Sequence, residues 1–142
     1  MERRYDTSSF TFGGEFWIAG GYNGTSRLST IEIRDKNGFW NISSVELPVK
    51  VHSHCIVSLN ENQILLTGGS LDNGAILPTT HLYDRRNNSW ERKADMAGPL
   101  QQHSCSLLEE GKVLVAGGAA YRGGYSNSQI FDVASNTWEE GP

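Results

Sequence analysis

The sequence predicts an all-β chain made of three copies of one four-stranded unit, and three markers in a common phase carry that expectation. Four mostly apolar residues followed by a double glycine occur at Phe16-Trp17-Ile18-Ala19-Gly20-Gly21, Ile64-Leu65-Leu66-Thr67-Gly68-Gly69 and Val113-Leu114-Val115-Ala116-Gly117-Gly118. Their second glycines are 48 and 49 residues apart. Tryptophans recur in step at Trp40, Trp90 and Trp138, 50 and 48 residues apart. Seven residues before each stands Ile33, Tyr83 or Phe131, followed by aspartate in Tyr83-Asp84 and Phe131-Asp132. A fixed period of this length is the signature of repeat architectures. Glycine makes up 16 of the 142 residues, against a typical usage of about 7%. That excess weighs against helices, where glycine loses the most backbone entropy.

Each unit reads as four short strands in order. A polar-apolar stretch comes first, over residues 5–11, 54–59 and 103–108. A tight turn, such as Glu109-Glu110-Gly111-Lys112, leads into the apolar strand that ends in the double glycine. A variable loop precedes a third strand of alternating character: Thr30-Ile31-Glu32-Ile33, His81-Leu82-Tyr83 and Gln129-Ile130-Phe131. Alternation of this kind marks a half-buried strand. A turn rich in Asp and Asn (Asp35-Lys36-Asn37-Gly38, residues 85–89, Ala134-Ser135-Asn136) then delivers the tryptophan strand. No stretch keeps a helical period.

The second strand does not alternate. Four consecutive apolar residues suit a strand covered on both faces, as in sheets stacked face against face. The double glycine permits backbone angles closed to other residues and a close neighbour. The tryptophan is expected to fill space between adjacent sheets. Four-stranded sheets that repeat at this length and pack face to face are propeller blades.

At these residues the chain resembles the kelch-repeat family, whose signature is apolar-Gly-Gly, then Tyr-Asp, then Trp. Gly68-Gly69, Tyr83-Asp84 and Trp90 match it most fully, and Gly117-Gly118, Phe131-Asp132 and Trp138 nearly as well. The first unit has Gly20-Gly21 and Trp40, but Ile33-Arg34 replaces Tyr-Asp and Asp35 falls one position late. The resemblance implies kelch-type β-propeller blades at about residues 4–47, 48–98 and 99–142. For function it implies a protein-binding platform: a substrate receptor for cullin ubiquitin ligases, or a cytoskeletal scaffold, often actin-associated. The ligase role normally needs a BTB domain, and no segment here reads as one. Propellers have about four to eight blades, so three repeats suggest half of a six-bladed ring. The chain is expected either to pair with a second copy or to be an excerpt of a longer propeller, because three blades leave two apolar faces to cover.

The net charge of −4 and the lack of any run of like charges exclude the electrostatic footprint of a nucleic-acid or anionic-lipid binder. No apolar segment has the length of a signal peptide or membrane span, so a cytoplasmic location is the expectation. Two cysteines, Cys55 and Cys105, make no disulfide framework and read as buried thiols acting as small hydrophobes. Asn23, Asn41 and Asn87 begin glycosylation triplets, which matter only in the secretory pathway.

Ser53 lies beside His52 and His54, and Ser104 beside His103, but neighbours on a strand point to opposite faces. His52-Ser53-His54-Cys55 and His103-Ser104-Cys105 hold ligand types for zinc or copper, yet match no tight metal spacing. Galactose-oxidase-like propellers, relatives with copper chemistry, would need ligands not identifiable here. The double glycines precede strands, so no helix N-terminus is offered to phosphate. The expectation is no catalytic residue, no metal and no cofactor. Binding is expected on the rim where loops 22–29, 70–79 and 119–127 meet the linkers 46–52 and 96–103, because variable loops on a rigid scaffold carry recognition. Tyr22, Arg27, Asp72, Asn73, Tyr121, Arg122 and Tyr125 are the candidate contacts for a protein or peptide partner.

Overall fold

A computed structural model describes residues 2–142; Met1 and the side chain of Glu110 lie outside it. The strands are β1 (Ser8–Phe12), β2 (Glu15–Ala19), β3 (Thr30–Arg34) and β4 (Trp40–Glu46) in blade 1. Blade 2 holds β5 (Cys55–Ser58), β6 (Gln63–Thr67), β7 (Thr80–Asp84) and β8 (Ser89–Lys93). Blade 3 begins with β9 (Ser104–Leu107) and β10 (Lys112–Ala116), carries a small ribbon of β11 (Ala119–Ala120) and β12 (Gly123–Gly124), and ends with β13 (Ser128–Asp132) and β14 (Thr137–Glu140). Within each blade the four main strands pair antiparallel in chain order. The first strands are innermost neighbours, β1 touching β5 and β5 touching β9. These are three kelch-type blades. The ribbon makes Arg122-Gly123-Gly124 part of a hairpin within the loop 119–127. First strands are shorter than expected: Asp6, Ser53 and Gln102 ahead of them bond across the seams, and Leu59 and Leu108 behind two of them close the following turns.

The core consists of two seams. Phe12, Trp17 and Ile31 of blade 1 meet Ile56, Ile64, Leu66 and Tyr83 of blade 2. Leu65 and Leu82 of blade 2 meet Val113, Val115 and Phe131 of blade 3, with Met96 and Leu100 from the linker. β6 therefore buries Ile64 and Leu66 on one face and Leu65 on the other, which is why it reads as an unbroken apolar run. Each such fully buried side chain contributes roughly 1.5–3 kcal/mol.

Strand register explains the irregular first unit. Phe16 pairs with Arg34, as Ile64 does with Tyr83 and Val113 with Phe131. Trp40, Trp90 and Trp138 stand opposite those same three residues. Arg34, not Ile33, thus holds the Tyr83 station, and Asp35 holds that of Asp84 and Asp132. The outer turn of blade 1 is one residue shorter. Asp35 still does its job: its Oδ1 accepts from the Asn37 and Phe39 amides, as Asp84 Oδ1 does from Arg86 and Asp132 Oδ1 from Ala134.

Each seam repeats the same bonds. Trp90 Nε1 donates to Glu46 O and Trp138 Nε1 to Ala94 O, both at 2.9 Å. Ser53 N donates to Asp6 O and Gln102 N to Ser53 O, both at 2.8 Å. Asp6, Ser53 and Gln102 all take left-handed backbone angles, with φ of 52°, 54° and 57°. The first glycine of a pair receives the imidazole of the next blade. A Cβ on Gly20 would come within 2.6 Å of His54 Cε1, and one on Gly68 within 2.3 Å of Leu100 O and 2.7 Å of His103 Cε1.

Candidate functional site

Strand order delivers the loop after each second strand and the linker after each fourth strand to one end of the blades. There they bond to each other. Gly21 N donates to Val51 O and Gly69 N to Leu100 O, both at 2.9 Å, while His52 bridges to Ser70 and Gln101 to Ala119. The result is a continuous rim of backbone carrying the variable segments.

On this rim the structure gathers Tyr22, Arg27 and Asp72. The Arg27 guanidinium lies 4.9 Å from the centre of the Tyr22 ring, and both its backbone N and its Nη1 donate to Asp72 Oδ1, at 3.1 and 3.2 Å. Arg27 therefore ties the blade 1 loop to the blade 2 loop, and its side chain is only 21% exposed. Tyr5 meets Tyr22 edge-on at 5.2 Å, and His52 lies 6.3 Å from the same ring. Neither Tyr5, which the sequence reads as the start of a first strand, nor His52, at the end of a linker, is among the candidate contacts.

The other candidates are spread along the rim. Asn73 Oδ1 accepts from Ala75 N at 3.0 Å and shapes its own turn. Tyr121 is 66% exposed, while its hydroxyl accepts from Ile76 N at 2.7 Å, reaching from blade 3 to the blade 2 loop. Arg122 is exposed beside it. Tyr125 is half-buried against the second seam. Two groups thus emerge, one on blades 1 and 2 around Arg27, one on blades 2 and 3 around Tyr121. At the opposite end a groove lined by Gly13, Gly14, Asn60, Asn62 and Arg85 lies between blades 1 and 2, with the Arg85 guanidinium 4.8 Å from the centre of the Phe12 ring. None of the candidate contacts read from the sequence lies there.

Two readings of the first strands are corrected. His52 Nδ1 lies 2.7 Å from Ser53 Oγ although they are neighbours. Ser53 is not in a strand: its left-handed φ turns both side chains to one side. Among the described residues no carboxylate hydrogen-bonds His52, so the orienting third group of a catalytic triad is lacking. Burial and then the Arg27 charge hold His52 below the usual histidine range, partly opposed by Asp6 and Asp72. The cysteines are not buried thiols. Cys55 and Cys105 form a disulfide across the second seam, with Cα atoms 6.0 Å apart. That removes both thiolates as ligands, and no group of three or more potential metal ligands is gathered among the described residues.

Behind the rim His54 and His103 are buried. Burial, with the neighbouring His103 adding, pushes His54 down to about 3. Burial likewise holds His103 at about 4, with its Nε2 2.8 Å from Thr67 Oγ1. Both are neutral packing groups at pH 7. Among the described residues no helix is long and apolar enough to cross a membrane.

No family model matches the chain. Among curated proteins it is 29% identical to Kelch-like protein 41b of Danio rerio over 94 residues, covering 66% of this chain and 15% of that protein. It is 28% identical to Kelch-like protein 40 of Xenopus tropicalis over 117 residues, covering 82% of this chain and 19% of the relative. Spermatocyte protein spe-26 of Caenorhabditis elegans is 29% identical over 68 residues, 48% of this chain and 12% of the relative. The matched segment is less than a fifth of each relative's length. Three in-phase repeats folded as four-stranded blades, together with this likeness to Kelch-like proteins over most of the chain, support membership of the kelch-repeat family.

Proposed function

We propose that the chain is a protein-interaction module without chemistry of its own, holding a protein or peptide partner on the rim of loops and linkers. The observation that carries this reading is the exposed Tyr121-Arg122 pair, anchored through the Tyr121 hydroxyl to the neighbouring blade's loop. An aromatic and an arginine fixed on rigid backbone are the residue types that dominate protein interfaces. Kelch-like relatives are consistent with an interaction role in general. Arg27 and Asp72 act mainly as the brace that sets the spacing of the loops. The test is quantitative cross-linking capture of partners from cells by wild type and by Tyr121→Ala/Arg122→Ala. A rim partner is expected to be lost at least about tenfold, the effect of a removed interface anchor, with unchanged thermal unfolding. Equal capture by both proteins overturns the reading.

A further inference from the structure

We propose that Asn87 carries an N-linked oligosaccharide, on a chain that matures in an oxidising compartment. The disulfide supplies the compartment, and the fold selects among the three glycosylation triplets. Cys55 and Cys105 are joined, and no described cysteine is left free. Such a bond forms and persists where glutathione and thioredoxin do not reduce it, which is also where N-linked sugar is attached. It weighs against the cytoplasmic location expected from the sequence. The bond joins blades 2 and 3, and Asn87 belongs to blade 2, whose neighbours on both sides are part of this chain.

A bulky, polar sugar needs an exposed asparagine whose amide the fold does not use. Asn23 fails on both counts. It is half-buried on the rim, its Oδ1 accepts from the Thr25 and Ser26 amides, and its Nδ2 donates to Glu2 Oε1 at 3.1 Å. Asn41 is exposed but sits in the ladder of β4, opposite Ile33, with its Nδ2 3.5 Å from Phe39 O. Asn87 lies on the exposed turn between β7 and β8, and its Nδ2 has no hydrogen-bond partner among the described residues. Ser89 Oγ donates to Asn87 Oδ1 at 2.9 Å, so the hydroxyl and the amide of the triplet are already in contact. The turn itself does not need that asparagine. Asp84 Oδ1 accepts from Arg86 N, and Asn88, at a left-handed φ of 53°, accepts from the Tyr83 hydroxyl at 2.9 Å. In blade 3 the same turn places Ser135 at the Asn87 station, Asn136 (φ 56°) at that of Asn88 and Thr137 at that of Ser89. The Ser135 and Thr137 hydroxyls lie 2.7 Å apart there. Serine thus closes this turn as asparagine does, and what asparagine adds is a primary amide at the surface. The turn joins the two outermost strands at the end opposite the rim, and Asn87 does not line the groove at that end. A sugar on it leaves the rim open. In the transfer, Asn87 Nδ2 attacks the anomeric carbon of an oligosaccharide linked to a lipid diphosphate. The N–C bond forms as the C–O bond breaks, the lipid diphosphate leaves with the electron pair, and one amide proton passes to a base of the transferase.

Peptide mass spectrometry of the protein isolated from its own cells, with thiols alkylated before lysis, tests this. Peptide N-glycosidase in heavy-oxygen water converts a glycosylated asparagine to labelled aspartate. Asn87 is expected to acquire the label, and Cys55 and Cys105 to escape alkylation. Asn87→Gln and Ser89→Ala are expected to abolish the label at this position, and Ser89→Thr to keep it. The wild-type readout does not depend on any variant folding. An unlabelled Asn87 in the wild-type protein overturns the proposal, as does a label that survives Ser89→Ala, or alkylation of Cys55 and Cys105.

Discussion

Histidines 54 and 103 show how one residue type serves a seam. Each imidazole brings its Cε1 up to a glycine of the preceding blade, where any Cβ would collide with it. A neutral ring is required, since burial opposes the charged form. Unfolded histidine titrates near 6.5, whereas these two stay neutral down to about 3 and about 4. Between those values the unfolded chain binds more protons, so stability is fully present above about pH 6.5 and falls as the pH drops toward 4. The expected loss is up to about 1.4 kcal/mol per pH unit per histidine. Urea unfolding at pH 7, 6 and 5 measures it, and a flat stability over that range would contradict the burial. The Ser53-His52 contact depends on a single backbone angle. A left-handed residue is invisible to an alternation argument, so two side chains assigned to opposite faces came together.

The blade is the scale at which the sequence is most legible. Double glycines and tryptophans mark the second and fourth strands because at both seams they meet the neighbouring sheet. The third strand of blade 1 was misaligned by one residue because counting back from tryptophan assumes an outer turn of constant length. Only pairing of Phe16 with Arg34 reveals the shorter turn. The rim was legible as a region, since strand order alone assigns it, but not residue by residue. Whether Arg27 faces a partner or Asp72 depends on where two loops 45 residues apart meet. The tryptophan strands of blades 2 and 3 also clamp the blade before them, through one indole bond each. Trp138→Phe removes the 2.9 Å bond to Ala94 O while keeping a ring in the seam. A cost of about 1–2 kcal/mol is expected, a lost hydrogen bond plus an unpaired carbonyl; chemical denaturation of wild type and variant measures it.

Across the whole molecule the two seams are not equivalent. Both carry the same indole and backbone bonds, but the second is also covalent. The disulfide closes a sequence separation of 50 residues, for which chain entropy suggests about 4 kcal/mol, with about 2–4 typical. Reduction, or Cys55→Ser with Cys105→Ser, is expected to lower unfolding free energy by about that range. Amide exchange should then rise most along β9 and β10, which only this seam holds to the rest. Equal protection in oxidised and reduced protein would show that the bond adds nothing. Its two sulfurs lay beyond sequence reasoning because they occupy unlike stations: Cys55 corresponds to Ser8 and Ser104, Cys105 to Ile56. That offset has a genetic consequence. A blade duplicated whole carries only one half of the linkage, so a tandem copy of blade 2 would set Cys55 against an isoleucine, and a tandem copy of blade 3 would set Ser104 against Cys105. Repeat duplication therefore keeps a seam's indole and backbone bonds but not its disulfide, which needs two different residues at two different stations.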